Sequence, residues 1–183
     1  MKLLLHTCCA PCSAAVIEWL LHNDICPTLY YYNPNIFPQE EYEKRKSELT
    51  RYVEKIGKVE IIDGDYNHND WLQEIKGFEN EPERGTRCLQ CFKMRLLATA
   101  RLAAERGCSH IATTLASSRR KNLEQINAAG EWAANQTNDV AFFNKNWRKD
   151  GLQERRNVLL IENGFYNQTY CGCEFSYGLS VGN

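Results

Sequence analysis

The sequence Leu3-Leu4-Leu5-His6-Thr7-Cys8-Cys9-Ala10-Pro11-Cys12 joins a short apolar run to a group of three cysteines. Its first four residues predict a short buried strand. Pro11 predicts the first turn of a helix that runs to about Leu21, because the missing N–H of proline would have no partner there. A strand therefore leads at once into a helix, and the cysteines lie where the two meet.

Strand and helix patterns alternate along most of the chain. Residues 28–32 are β-branched and aromatic, as in a strand, and residues 38–56 have apolar positions at helical spacing. Further strands are predicted at residues 58–62 and 109–115, and further helices at residues 71–76, 88–106, 122–135 and 153–163. The residues from Gly164 onward receive no assignment. This alternation predicts one α/β domain over residues 1–183, with a parallel sheet flanked by helices.

The composition is typical of a globular protein. The 183 residues are 43% hydrophobic and 25% charged, and the net charge is −1. This balance excludes a strongly basic nucleic-acid binder, although it allows a local basic patch. The sequence contains no run of about 18 apolar residues, the length that a membrane-spanning helix needs. The apolar stretch near the first residue is too short for the hydrophobic region of a signal peptide. We therefore expect a cytoplasmic protein with no membrane partner.

Nine cysteines are the exceptional feature of the composition. In a reducing cytosol, they favour metal binding or redox catalysis over a disulfide framework. Cys26 and Cys108 stand alone in the sequence, and we expect buried structural thiols there. The other seven fall into three clusters, which are Cys8, Cys9 and Cys12, then Cys88 and Cys91, and finally Cys171 and Cys173.

The first two clusters lie at the beginnings of predicted helices. The N–H groups and the dipole of a helix N-terminus lower the pKa of a thiol and favour the thiolate. Together these clusters offer enough thiolates for a [4Fe–4S] cluster or for a tetrahedral zinc ion. A structural zinc site remains an alternative. The adjacent pair Cys8-Cys9 and the additional Cys12 are, however, unusual for a zinc site closed by four cysteines.

The third cluster allows two interpretations. Cys171 and Cys173 are close enough in sequence to form a strained, easily reduced disulfide of the kind that takes part in catalysis. Alternatively, one or both of them ligate the same metal as the other clusters. The residues alone leave both interpretations open.

Taken together, several short segments resemble the QueH family of epoxyqueuosine reductases. The matching segments are residues 4–13, 32–36, 79–85, 87–91, 95–96, 113–115, 121–122 and 170–176. They extend over nearly the whole chain, and it is their combination in this order that is specific. One departure is Asn167, where an arginine is expected in the family.

The resemblance implies an activity, a fold and partners. The activity is the reduction of epoxyqueuosine to queuosine at the wobble position of the tRNA anticodon, the last step of queuosine biosynthesis. The expected sheet is similar to that of the nucleotide-binding α-hydrolase-type, Rossmann-like folds. The partners are a tRNA that carries epoxyqueuosine and an electron donor that the sequence does not identify.

The resemblance also implies roles for individual cysteines. A redox-active disulfide would form between Cys171 and Cys173, and Cys12 would serve catalysis or ligate a second, mononuclear metal ion. The ligands of the [4Fe–4S] cluster would be Cys8, Cys9, Cys88 and Cys91.

Other polar residues are candidates for substrate contacts. His6 and Glu83 are candidate proton donors. The candidate tRNA contacts are basic residues near the second cluster and in a later basic run, namely Arg84, Arg87, Lys93, Arg95, Arg119, Arg120 and Lys121.

Other classes of protein compete with this interpretation. An ATP-using tRNA thiolation or adenylation enzyme would need a glycine-rich phosphate loop after the first strand, and residues 7–12 contain no glycine. The remaining alternatives are a zinc-binding RNA-interaction module and another metal-dependent tRNA-modifying enzyme. Bound zinc in place of iron would favour the module.

Overall fold

Five parallel strands form the central sheet of the computed structural model, which describes residues 1–177. Their order across the sheet is β3-β2-β1-β4-β5, and every neighbouring pair is parallel. The strands are β1 (Leu3–Thr7), β2 (Thr28–Tyr31), β3 (Ile61–Asp63), β4 (His110–Thr113) and β5 (Ala141–Phe142). This arrangement confirms the predicted α/β class and is consistent with a Rossmann-like fold.

Helices connect the strands and flank the sheet. They are α1 (Ala10–His22), α2 (Gln39–Ile56), α3 (His68–Glu74), α4 (Thr86–Glu105), α5 (Leu123–Ala134), α6 (Leu152–Glu162) and α7 (Glu174–Tyr177). A short 3-10 helix, Thr114–Ser117, follows β4. None of the helices described within residues 1–177 combines the length and the apolar character that crossing a bilayer requires.

Strand β1 lies in the middle of the sheet and is buried along its whole length. Its leucines are almost inaccessible because helices cover both faces of a parallel sheet. Leu4 is paired with Thr28 of β2 on one side and with Ile111 of β4 on the other. The strand order therefore reverses next to β1, and ligand sites of such sheets form beyond the carboxyl ends of the strands at that point.

Several elements differ from the prediction in their bounds. Helix α4 begins at Thr86, before the second cysteine cluster, because the extended Gly85 is its N-cap. Strand β4 is shorter than predicted because the Thr113 side chain accepts a hydrogen bond from the N–H of Leu115 and turns the chain into the 3-10 helix. Strand β5 and helix α7 were not predicted, since two and four residues are too short for a periodic pattern.

Gly130 provides a test of the packing between α5 and β5. A Cβ atom at this position would lie 2.4 Å from ring atoms of Phe142, so the ring would have to move. We expect Gly130→Ala to lower the free energy of unfolding by about 1–3 kcal/mol, although alanine has a helix propensity better by roughly 1 kcal/mol. Urea denaturation measures the change. Glu131→Ala, at the exposed neighbouring position, is the control and should change the free energy of unfolding by less than about 0.5 kcal/mol. An unchanged free energy of unfolding in Gly130→Ala would contradict the close contact with Phe142.

Candidate functional site

Three buried thiols meet at the carboxyl end of β1. Cys8 and Cys9 follow the strand, and Cys12 lies in the first turn of α1. Their Sγ atoms all lie within 4.8 Å of one another. The Cys8 Sγ also lies 3.7 Å from the Thr114 hydroxyl, which follows β4. The group therefore lies where the strand order reverses, and its three sulfur donors could hold a metal ion.

The thiols of this group differ in acidity. Hydrogen bonds from Cys12 and Cys9 lower the pKa of Cys8 well below its usual range, and the positive charges of Lys121 and Arg95 act in the same direction. Burial raises the pKa of Cys9. The hydrogen bond to Cys8 raises the pKa of Cys12 to about 12. The lowered pKa favours the thiolate form at Cys8, and thiolates are the form that binds metal.

A second group of thiols lines a small cavity between α4 and the segment before α7. It consists of Cys88 and Cys91 from α4 together with Cys171 and Cys173. Burial raises the pKa of Cys88 to about 12 and that of Cys173 to about 11, and in both cases neighbouring thiols act in the same direction. The second and third cysteine clusters of the sequence are therefore neighbours in space.

Cys171 connects the two groups. It lines a cavity of about 210 Å³ together with Cys8 and Cys12, and it also lines the small cavity of Cys88 and Cys91. All nine cysteines are free thiols in this structure, so no disulfide joins Cys171 to Cys173. The solitary Cys108 is buried as predicted, whereas Cys26 is exposed, so the expectation of burial is wrong there.

Buried N–H donors without an acceptor surround the second group. The Nε1 of Trp71 and the Nε atoms of Arg87 and Arg95 have no hydrogen-bond partner among residues 1–177, and all three residues line the small cavity. An unpaired buried donor costs about 1–3 kcal/mol. These donors therefore suit an additional acceptor at this position, and thiolate or sulfide sulfur is such an acceptor.

Two buried cations lie beside the thiols. An Nη atom of Arg95 is 3.9 Å from the Cys91 Sγ, and Lys121 lines the larger cavity with Cys8 and Cys171. Burial opposes the charge of Lys121, but the thiols of Cys171, Cys8 and Cys12 together outweigh it and raise its pKa. Buried charges require compensation. These cations therefore match a site that carries several thiolates.

The segment that holds Cys171 and Cys173 is fixed from α2. The Arg45 guanidinium donates to the carbonyl oxygens of Tyr170 and Cys171, each at 3.2 Å. Gly172 between the two cysteines has φ +119°, and a Cβ there would lie 3.0 Å from a nitrogen of Arg45. Sequence reasoning missed Arg45, since no local pattern relates it to a segment more than 120 residues away.

The two candidate proton donors, His6 and Glu83, lie in different surroundings. His6 is buried, with its ring nitrogens 2.9 Å from the Thr113 hydroxyl and 3.0 Å from the Tyr32 carbonyl oxygen. Burial and the charge of Arg95 lower its pKa to about 3, so it is a neutral residue that ties neighbouring strands together. Glu83 lines a small cavity with Cys88, Lys121 and Cys171, so it stays a candidate proton donor.

The predicted tRNA contacts also divide into two sets. Arg87 and Arg95 are buried, and Lys93 lies over the Trp132 ring. Arg119 and Arg120 are exposed and line the larger cavity, as does Arg156, which the sequence did not indicate. The exposed cations at the larger cavity therefore come from the later basic run and from α6, and Arg120 also lines a small cavity with Arg84 and Cys88.

The fold and the site define a class of protein. It is a Rossmann-like α/β protein with buried thiols that can hold a metal ion, next to a cavity lined by cations. The sequence profile described as Epoxyqueuosine reductase QueH matches residues 3–178. The chain belongs to this family, and the resemblance based on residues 4–176 is confirmed.

Named relatives lead to the same family. Epoxyqueuosine reductase QueH of Acinetobacter baylyi is 46% identical over 175 residues, which cover 96% of this chain and 80% of that protein. The protein of the same name from Haemophilus influenzae is 45% identical, with 96% and 71% covered. The one from Thermotoga maritima is 35% identical, with 94% and 88% covered.

Metal binding by the first group of thiols is testable without the reaction. We expect the reduced, metal-free protein to bind Co²⁺ with thiolate charge-transfer absorption. Cys9→Ser should weaken this binding by more than about tenfold. Loss of a residue that only hydrogen-bonds a metal ligand already lowers metal affinity by about 10–100-fold. Cys26→Ser, which alters an exposed thiol, is the matched control. Equal titration curves for the two variants would contradict a metal site at Cys9.

Proposed function

We propose that this chain reduces epoxyqueuosine to queuosine at the wobble position of a tRNA anticodon, in the cavity lined by Cys8, Cys12 and Cys171. The observation that carries the proposal is the family membership over nearly the whole chain. The geometry supports it, because all three cysteine clusters border this cavity or its neighbour. The reaction is the final step of queuosine biosynthesis, and the enzyme is an oxidoreductase.

The proposed cofactor is a [4Fe–4S] cluster with Cys8, Cys9, Cys88 and Cys91 as ligands. Three observations support it. The proposed ligands all offer sulfur as the donor atom. Buried N–H groups without a partner among residues 1–177 and the two buried cations Arg95 and Lys121 lie beside them. When bound, such a cluster supplies electrons one at a time, at a potential set by its charge and by hydrogen bonds to its sulfurs. The side chain of Gln168 donates one hydrogen bond to the Cys9 Sγ.

Cys12 has a separate proposed role. Its thiol lies within 4.8 Å of Cys8 and Cys9 and faces the larger cavity, yet the proposed cluster does not require it. We assign it to a second, mononuclear metal ion or to direct participation in catalysis. This position would bring it next to the substrate ring that enters the cavity.

The reduction needs two electrons and two protons. Both C–O bonds of the epoxide break, a C=C bond forms, and the oxygen leaves as water. Oxidation of the dithiol Cys171 and Cys173 to a disulfide releases two electrons and two protons, which balances this change. Residues separated by one position span at most about 7 Å, which is compatible with the Cα spacing of a disulfide. The pair would then be reduced again by an external donor.

Lys121 is the proposed group that faces the epoxide oxygen. Its side chain is buried at the wall of the cavity that contains Cys8, Cys12 and Cys171. An ammonium at this position can donate a hydrogen bond to the oxygen as negative charge develops on it. Glu83 remains a candidate proton donor, since it lines a small cavity together with Lys121 and Cys171.

The competing functions are less well supported. The family membership disfavours a zinc-binding RNA module and another kind of tRNA-modifying enzyme. An ATP-using enzyme would require a phosphate loop where this chain has buried thiols. Because a tRNA substrate and free thiols are both compatible with the reducing cytosol, we propose that the protein acts in the cytoplasm.

The reaction is tested with tRNA that contains epoxyqueuosine. Anaerobically purified, iron-loaded protein is incubated with this tRNA and a strong reductant, and the digested nucleosides are analysed by mass. We expect a product lighter by one oxygen atom. Cys88→Ser should abolish conversion, because it removes a proposed ligand of the cluster, and Cys26→Ser should convert normally.

Other outcomes would limit or overturn the proposal. Protein with a spectroscopically intact cluster but no conversion would contradict the substrate assignment. Full conversion by Cys88→Ser would contradict the ligand assignment. Protein that holds zinc and converts nothing would favour the RNA-interaction module.

A further inference from the structure

The segment of residues 116–121, called here the basic loop, is held by side chains at every carbonyl oxygen. Arg148 donates to the carbonyl oxygens of residues 116, 118 and 121. Arg84 donates to those of residues 119 and 120, at 2.9 and 3.0 Å, and Gln153 donates to that of residue 117, at 3.0 Å. The basic loop is therefore a fixed surface, although residues 118–121 lie outside regular secondary structure.

The basic loop also carries hydrogen-bond donors that could bind a ligand. The backbone N–H groups of Arg119 and Arg120 donate to no acceptor within residues 1–177. Both side chains are exposed, and neither forms an ion pair in that part of the chain. Two guanidinium groups and two N–H groups are thus grouped at one position. Guanidinium and backbone N–H donors are the groups that bind phosphate oxygens.

Positive charge is concentrated around the basic loop, and its four arginines form no ion pair with a carboxylate within residues 1–177. The side chains of Arg84 and Arg148 donate their hydrogen bonds to backbone carbonyl oxygens. Burial lowers the pKa of Arg148, and the charges of Arg84 and Arg119 lower it further, which shows that these cations repel one another. A bound polyanion would relieve this repulsion.

The size of the cavity limits what enters it. At about 210 Å³, it is below the roughly 300–1,000 Å³ of ordinary small-molecule pockets. This volume suits a ring system, so the ribose and phosphates of a nucleotide whose modified ring lies in the cavity would lie at its rim. Arg119 and Arg120 line that cavity.

We propose that the basic loop binds the RNA phosphates that flank the nucleotide whose modified ring enters the cavity. Arg119 and Arg120 make the contacts, while Arg84 and Arg148 position the loop. The inference rests on the proposed function for the identity of the RNA. A single-stranded loop fits best, because its bases can turn out of the stack while its phosphates remain on a basic surface.

Salt dependence distinguishes this role from a structural one. Binding of an unmodified anticodon stem-loop is measured by fluorescence anisotropy over a series of KCl concentrations. Each phosphate contact in a single strand contributes about 0.7 to the slope of log K against log salt. The double variant Arg119→Gln/Arg120→Gln should therefore have a slope shallower by about 1.4 and bind roughly 25-fold more weakly at 0.1 M salt.

Two further variants serve as controls. Arg119→Lys/Arg120→Lys keeps both charges, so it should keep the slope even if bidentate contacts are lost. Arg101→Gln removes an exposed cation about 20 Å along α4 from Cys88, and its slope should equal that of the unaltered protein. Circular dichroism confirms that the exposed substitutions leave the fold intact.

The possible results separate this proposal from the proposed reaction. An unchanged slope in the double glutamine variant, or no binding of the stem-loop by the unaltered protein, would overturn it. Unchanged RNA binding with slower reduction by a protein electron donor would assign the surface to that donor instead, and would overturn it as well. A shallower slope in a protein that reduces no epoxyqueuosine would support the basic loop and contradict the reaction.

Discussion

Seven of the nine cysteines lie in or beside two neighbouring buried cavities, and this crowding of sulfur constrains the residues around them. Buried negative charges are stable only where positive charges and N–H donors surround them. This chain provides Arg95 and Lys121 beside the cysteines, both of them buried. The N–H groups of Trp71 and Arg87 that have no partner among residues 1–177 lie around the second thiol group. The compensation comes from several helices and loops, so the site exists only when the whole sheet is assembled.

The sheet topology explains why distant cysteines become neighbours. The central position of β1 places Cys8 and Cys9 at the reversal of strand order, and the first turns of α4 bring Cys88 and Cys91 to the same edge. The third segment has little secondary structure of its own and depends on Arg45. The same edge carries the basic loop, which borders the larger cavity. The thiols, the cavity and the basic loop therefore lie side by side at one edge of the sheet.

The sequence was sufficient to predict the features that depend on local patterns. The apolar run before Cys8, Pro11 in the first turn of α1 and the cysteine spacing led to the fold class, the family and the clusters. Features that depend on tertiary contacts could not be predicted. Arg45 and Arg148 act on segments far away in sequence, and β5 is too short for a pattern. Their position near the second cysteine cluster in the sequence made Arg87 and Arg95 candidate tRNA contacts, whereas the structure buries both beside thiols.

The proposed ligands of the first two cysteine clusters would hold a single cofactor. Diffraction at the iron absorption edge from crystals of the anaerobically reconstituted protein locates its iron. We expect anomalous iron density bounded by the Sγ atoms of Cys8, Cys9, Cys88 and Cys91, with any second metal ion beside Cys12. Iron confined to Cys8, Cys9 and Cys12, with Cys88 and Cys91 left as free thiols, would contradict it.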